Sequence, residues 1–418
     1  MTETHDAVET IWRMESAKVI GALVRLTGDV GLAEDLAQDA LIAALEQWPE
    51  SGVPLKPGAW LTAAAKHRAI DLFRRNERFR AKVEEMGRQT ELERNMGVPD
   101  PDMLDDAIGD DLLRLVFIAC HPVLSRETRV ALTLRLLGGL TTEEIARAFL
   151  TPVPTIAQRI VRAKRTLSAA RVPFEVPDRA ALPARVASVL EVIYLIFNEG
   201  YAATSGDEWV RPALCEDALR LGRILAELMP AEPEVHGLIA LMEIQASRLR
   251  VRVGPAGEPV LLLDQDRARW DYLLIRRGLA ALERALTLGG QLGPYALQAS
   301  IAACHARART AEETDWERIV ALYDALAQIA PSPIVELNRA VAVGMAFGPE
   351  AALEIVDCLA AERTLATYHL LPSVRGDLLA KLGRVEAARV EFERAATLTE
   401  NERERALLLA RARSLRSE

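Results

Sequence analysis

The stretch 140–167, LTTEEIARAFLTPVPTIAQRIVRAKRTL, leaves this chain the least freedom. Thr141 and Glu144 have the spacing of a capping box, in which each side chain satisfies a donor in the other's part of the first helical turn. Ile145, Ala146 and Phe149 then form one apolar face. Thr151 followed by Pro152 restarts the chain as an N-cap with proline at the first helical position, and Pro154 still lies in the first turn, where its missing N–H costs little. Ile156, Ile160, Ala163 and Leu167 recur at i, i+4, i+7 and i+11, an inward-packing row. Thr155, Gln158, Arg159, Arg162 and Arg165 are left pointing outward. Residues 153–171 hold five bases and no acid. Two short helices joined by a tight turn, the second displaying hydroxyl, amide and guanidinium groups, suit a helix-turn-helix entering a major groove. The same pattern also fits two surface helices of a bundle with a solvated basic face.

Composition favours helices throughout. Half of the 418 residues are hydrophobic and 5% aromatic, and Ala, Leu and Arg dominate. The length allows two to four domains. No apolar run reaches the roughly 20 residues that span a bilayer. The opening MTETHDAVET lacks a signal-peptide pattern, and Cys120, Cys215, Cys304 and Cys358 show no C-x-x-C spacing, so a cytoplasmic protein with reduced thiols is expected. Cys120-His121 and Cys304-His305 read as core pairs on apolar helices, and no metal or cofactor is expected. The net charge of −9 would suit a DNA binder poorly if charge were spread evenly, but it is not. Residues 60–80 hold Lys66, Arg68, Arg74, Arg75, Arg78 and Arg80 against Asp71 and Glu77. Residues 84–111 hold ten acids against Arg88 and Arg94.

Taken in order, residues 10–47 read as two amphipathic helices broken near Thr27-Gly28-Asp29. In the second, Leu32, Leu36, Ala40 and Leu45 line a core face, while Glu34, Asp35, Gln38, Asp39 and Glu46 lie on other faces. Trp48 to Gly58 is rich in Pro and Gly and reads as a loop. Ala59 to Arg80 is one helix whose bases suit phosphates. His121-Pro122 marks a break between two supporting helices in 112–137.

The blocks AEDLAQDALIAALEQW and AWLTAAAKHRAIDLFRRNERF resemble regions 2.2 to 2.4 of the extracytoplasmic-function sigma factors of the sigma-70 family. Residues 112–171 resemble their region 4. The resemblance covers about 1–172, and the remainder is similar to a subgroup with a helical, TPR-like C-terminal extension. It implies that Asp35, Gln38 and Asp39 dock on the clamp helices of the polymerase β′ subunit. It implies that loop 49–58 captures a flipped base of the −10 element, and that Lys66, Arg68, Arg74, Arg75 and Arg78 grip −10 DNA beside a structural Trp60. It places −35 recognition on Thr155, Gln158, Arg159, Arg162 and Arg165. His67 and Ala157 depart from the residues frequent in relatives, Asn and a base respectively. Core RNA polymerase and promoter DNA are the implied partners.

The expected architecture is all-α. Region 2 occupies 1–83, an acidic linker 84–111, region 4 112–172, a helical extension 173–269 and TPR-like repeats 270–418. The linker lacks helical period; disorder and a tether threading the polymerase are both open. Pro173, Pro177 and Pro183 open the extension, whose apolar helix VASVLEVIYLIFNEGY is core rather than membrane. A short hairpin is expected around Pro255-Ala256-Gly257. Asp264, Asp266, Arg267, Arg269, Trp270 and Asp271 read either as a face for a small ligand or as an acid-rich helix start. GPEAALEIVDCLA and GRVEAARVEFERAA echo each other at about 35 residues, the period of stacked helix pairs, which present a surface to a protein partner. The competing function is a stand-alone helix-turn-helix regulator with a ligand-binding C-terminus, which would need only one DNA-reading module. Nothing in the sequence sets up an enzyme: there is no nucleophile–base pair, phosphate loop or metal spacing.

Overall fold

The computed structural model describes residues 2–86 and 108–415, with side chains over 7–75 and 111–415. Most of the acidic linker, and the Arg78 side chain, lie outside those residues. The chain is all-α and divides into two compact units, 1–192 and 193–418.

In the first unit, α1 (Thr2–Thr27) and α2 (Val30–Ser51) meet at Gly28, and α3 (Pro57–Met86) follows. Gly28 takes φ +67°, and Asp29 caps α2 by accepting from the Leu32 N–H at 2.8 Å. Val19, Ile20 and Leu23 of α1 are buried against the small residues Ala33, Ala37 and Ala44 of α2 and Leu61, Ala65 and Ala69 of α3. Alanine faces let helix axes approach closely, and each large aliphatic side chain removed from water contributes about 1.5–3 kcal/mol. The loop after α2 is shorter than its proline content suggests. The helix runs through Pro49 to Ser51, because the last turn is closed by Gly52 N–H to the Trp48 carbonyl. Pro57 opens α3, where its missing N–H is not needed.

Then come α4 (Ile108–Ala119), α5 (Arg126–Leu136), α6 (Thr142–Ala148), α7 (Val153–Ala169) and α8 (Leu182–Tyr201). The break between α4 and α5 falls at His121-Pro122. The acid run ends inside α4, and its last residue is not in solvent. Asp111 is 1% exposed, and pairs with Arg25 of α1 and Arg114 of α4, both at 3.1 Å.

In the second unit, α9 (Pro212–Leu228) and α10 (Pro233–Ala246) precede an irregular stretch. Here the hairpin is reduced to one antiparallel bridge, Val253 with Pro259, between two short 3-10 turns. The remaining helices are α11 (Tyr272–Thr287), α12 (Pro294–Arg307), α13 (Trp316–Ile329), α14 (Pro333–Phe347), α15 (Pro349–Leu359), α16 (Leu370–Lys381), α17 (Val385–Leu398) and α18 (Glu402–Ser414). From α12 onward each helix packs on the next in sequence, the stacking expected of helix-pair repeats. The two sequence echoes fall on α15 and α17. Gly376 lets Phe392 of α17 lie against α16; a Cβ there would stand 3.0 Å from the ring.

Sequence periodicity does not foresee a two-residue parallel pair, β1 (Ser205–Gly206) with β2 (Glu400–Asn401). Asn401 is 1% exposed. Its amide donates to the Ala203 and Glu208 carbonyls at 3.0 and 2.8 Å, and its Oδ1 caps α18. Asn401→Ala orphans two carbonyls and a cap, so it is expected to cost the C-terminal unit about 3 kcal/mol. A lower denaturation midpoint for that unit checks this; an unchanged midpoint refutes it.

Candidate nucleic-acid interface

The helix-turn-helix is assembled from local bonds. Thr141 accepts from the Glu144 N–H at 3.1 Å, and Glu144 Oε2 accepts from the Thr141 N–H at 2.7 Å, completing the capping box. The Glu144 carboxylate also pairs with Arg13 of α1. Between α5 and α6, Gly139 adopts φ +70° with Arg13 Cα only 3.3 Å from where a Cβ would sit. The α6–α7 turn contains Leu150 at φ +45°, a conformation that non-glycine residues rarely take. Pro152, rather than Thr151, is the N-cap of α7, one residue later than the Thr-Pro signal implies; the Thr151 hydroxyl donates instead to the Phe149 carbonyl at 3.0 Å.

Ile156, Ile160, Ala163 and Leu167 are buried. The opposite face of α7 carries exposed Gln158, Arg162 and Arg165, with Thr155 and Arg159 half-buried. Ala157, Gln158, Val161, Arg162 and Arg165 together line a shallow concavity. Three of the sequence-derived candidates, Gln158, Arg162 and Arg165, thus share that concavity.

On α3, Arg74 and Arg75 are exposed, Lys66 and Arg68 half-buried. Trp60 packs edge-on against buried Trp48, ring centroids 5.3 Å apart, a structural placement. Arg68 pairs with Asp39 of α2 at 3.4 Å, so the −10 and polymerase sets touch each other. In the loop between α2 and α3, Leu55 is fully exposed and Val53 42% exposed.

Of the docking candidates, Asp35 and Asp39 are exposed. Gln38 is half-buried and donates to Glu34 at 2.8 Å. Glu34, which the sequence places off the core face of α2, is buried all the same. It is 4% exposed, accepting from Arg135 Nε of α5 at 2.6 Å and lying 2.7 Å from Lys164 Nζ of α7. Burial by itself would raise its carboxyl. The charges of Lys164 and Arg135, and their hydrogen bonds, outweigh burial and hold it below the ordinary glutamate value. The pair therefore stabilises the unit above that ordinary value, and its contribution is lost as pH falls through the lowered one. Glu34→Ala leaves two cations facing each other with no counter-charge, so it is expected to cost about 3 kcal/mol. It should loosen α2 from α5 and α7, read as faster protease cleavage of the N-terminal unit. Cleavage at the wild-type rate would contradict that role. The two basic modules are thus clasped together within one unit rather than held apart.

The packing around α4 and α5 also reaches past residue 172. On α8, Arg185 donates to the Phe117 carbonyl, Ser188 donates to the Cys120 carbonyl at 2.6 Å, and Glu191 pairs with Arg126 and Arg129. These contacts lie past residue 172, and periodicity gives no signal for them. Cys120 is buried, which pushes its thiol up to about 11, and desolvation takes His121 down to about 4. Among the described residues no group of three or more His, Cys, Asp and Glu side chains is placed to hold a metal, and no helix is long and apolar enough to cross a membrane.

Comparison with known proteins agrees with this geometry. Family models described as "Sigma-70 region 2" and "Sigma-70, region 4" match residues 11–79 and 114–167. A family of unknown function, DUF6596, matches 185–286. The chain is 44% identical over 395 residues to "Uncharacterized protein R00370" of Rhizobium meliloti (strain 1021), covering 94% of this chain and 92% of that protein. It is 26% identical to "Probable ECF RNA polymerase sigma factor SigI" of Mycobacterium tuberculosis, over 40% of this chain and 57% of that protein. Yeast Tom70 is similar at 10% identity and a TM-score of 0.32, over 94% of this chain and 83% of that one. A likeness of that size leaves the fold to be read from the helix pairing itself. The matched regions 2 and 4 make this a helical transcription-initiation protein of the sigma-70 type. Within that class, the chain belongs to the extracytoplasmic-function sigma factors with an additional C-terminal domain.

Proposed function

We propose that the chain binds core RNA polymerase and directs it to promoters, reading the −35 element with α7 and opening the −10 element with α3 and the loop before it. The observation that carries this reading is the row of Gln158, Arg159, Arg162 and Arg165 on the outer face of a helix whose inner face is fully buried. Side chains of these types read base edges and phosphates in a major groove. Exposed Leu55 and Val53 suit a loop that holds an extruded base, since apolar contacts help offset a few kcal/mol of unstacking. Asp35 and Asp39 offer polymerase an acidic face on α2. The chain itself carries out no chemistry in this account, and its place of work is the cytoplasm, where polymerase and promoter are. The C-terminal helices offer a surface for a protein partner and modulate the sigma core.

Because the clasp at Glu34 ties α2 to α7, the two modules must part to engage two DNA segments at once. Run-off transcription with core polymerase on a promoter library tests the reading. Initiation from a shared pair of elements, lost without the chain, supports it; no initiation above core polymerase alone contradicts it. Shortened forms should end after α8, at residue 202 or beyond. A cut after 172 also removes the contacts of Arg185, Ser188 and Glu191 with Phe117, Cys120, Arg126 and Arg129.

A further inference from the structure

The C-terminal unit contains a cluster of two cations, one of them buried, and hydrogen-bond donors that the sigma reading does not use. At the end of α10, Arg248 is 7% exposed, lying 5.7 Å from the Tyr201 ring centroid and 5.6 Å from that of Trp270. One turn on, Arg252 sits 3.7 Å from the Tyr201 centroid and 5.5 Å from that of Trp209. Arg248 Nε, Arg252 Nε, the Tyr201 hydroxyl, Trp209 Nε1 and Trp270 Nε1 are all buried atoms without a hydrogen-bond partner. Every nitrogen among them is a donor only.

Neighbouring arginines in this unit are treated differently. Arg211 pairs with Glu199. Arg267 donates to the His305 and Ala308 carbonyls and to Thr314 Oγ1 at 2.7, 3.0 and 3.0 Å, a structural role. Two of the nearby acids are likewise occupied. Asp266 caps the turn at Ala268, and Asp271 caps α11 at Leu273 and Leu274. Arg248 and Arg252 have no carboxylate within salt-bridge distance among the described residues, and the Arg248 guanidinium bonds only the Gln245 side-chain oxygen. Stacking on aromatic rings is worth about 0.5–2 kcal/mol, which does not replace the counter-charge that a buried guanidinium needs. Arg248 and Trp270 lie inside, whereas Tyr201, Trp209 and Arg252 are partly exposed, so the cluster runs from interior to surface.

We propose that Arg248 and Arg252, framed by Tyr201, Trp209 and Trp270, form a binding site for a small oxyanion, the phosphate or carboxylate group of a small molecule. An oxyanion is acceptor-only and matches the planar fork of a guanidinium, so it meets both the missing charge and the missing acceptors. All five residues fall within the segment matched by the family of unknown function.

The test titrates the full chain with sodium phosphate and, separately, with sodium citrate at fixed ionic strength, following tryptophan fluorescence and calorimetric heat. Saturable binding in the phosphate arm identifies a phosphoryl ligand, and in the citrate arm a carboxylate. Arg252→Gln should weaken it at least about tenfold, while Arg384→Gln, on an exposed turn far along the repeats, should leave it unchanged. If Arg252→Gln does not fold, Trp209→Phe keeps a ring and deletes one donor. Weaker binding in that variant supports the site, and wild-type binding contradicts it. The proposal is overturned if neither salt saturates below ~10 mM, or if Arg252→Gln binds as the wild type does. No transcription enters the measurement, so its failure leaves the sigma reading intact.

Discussion

Arg159→Ala combined with Arg162→Ala is expected to lower transcription from a −35-dependent promoter roughly 30-fold or more. Each guanidinium in contact with a base edge or phosphate contributes about 1–3 kcal/mol to complex formation. Both side chains lie on the outer face of α7 and neither contributes to its core, which is Ile156, Ile160, Ala163 and Leu167. The fold should therefore survive: surface substitutions away from caps and pairs stay within about 0.5 kcal/mol. Association with core polymerase should be unchanged, because α2 carries the proposed docking face. If the lost contacts are to phosphates, the salt dependence of promoter binding should flatten by about 0.9 per phosphate. Unchanged transcription would move recognition off α7.

Asp35→Arg with Asp39→Arg is expected to weaken association with core polymerase by about 100-fold or more. Reversing two charges on a docking face replaces attraction with like-charge contact, at a cost of several kcal/mol. Asp39 also holds Arg68 at 3.4 Å, so the double variant additionally sets two cations against each other where α2 meets α3. Asp35→Arg alone separates the two effects, since it leaves the Asp39–Arg68 pair in place. Fluorescence anisotropy with labelled chain reads both. Retained association would place the docking face elsewhere on the unit.

The helix-turn-helix was legible in the sequence because its signals are local. A capping box, a helix-opening proline and an i, i+4, i+7 row are each set within a few residues of chain. The break at Gly28 and the repeat period of α15 and α17 were legible for the same reason. What escaped the sequence depends on partners far along the chain. Glu34 looks like any other acid on a charged face until α5 and α7 bring Arg135 and Lys164 to it, 101 residues away in the case of Arg135. Asp111 reads as the last of an acid run, yet Arg25 buries it. The α8 contacts of Arg185, Ser188 and Glu191 and the closure of β1 by Asn401 are long-range as well. The DQDR segment lies close in sequence to Trp270 of the proposed oxyanion site. Asp266 and Asp271 are caps, and the charge without a counter-charge sits on Arg248 and Arg252.

Both basic modules are expected to act on promoter DNA only when mounted on polymerase. Footprinting on a promoter with matched −35 and −10 elements, with and without core polymerase, measures this directly. Protection of both elements that requires polymerase, with only weak protection by the chain alone, is the predicted result. Tight protection of a palindromic site by the free chain, indifferent to core polymerase, would contradict it.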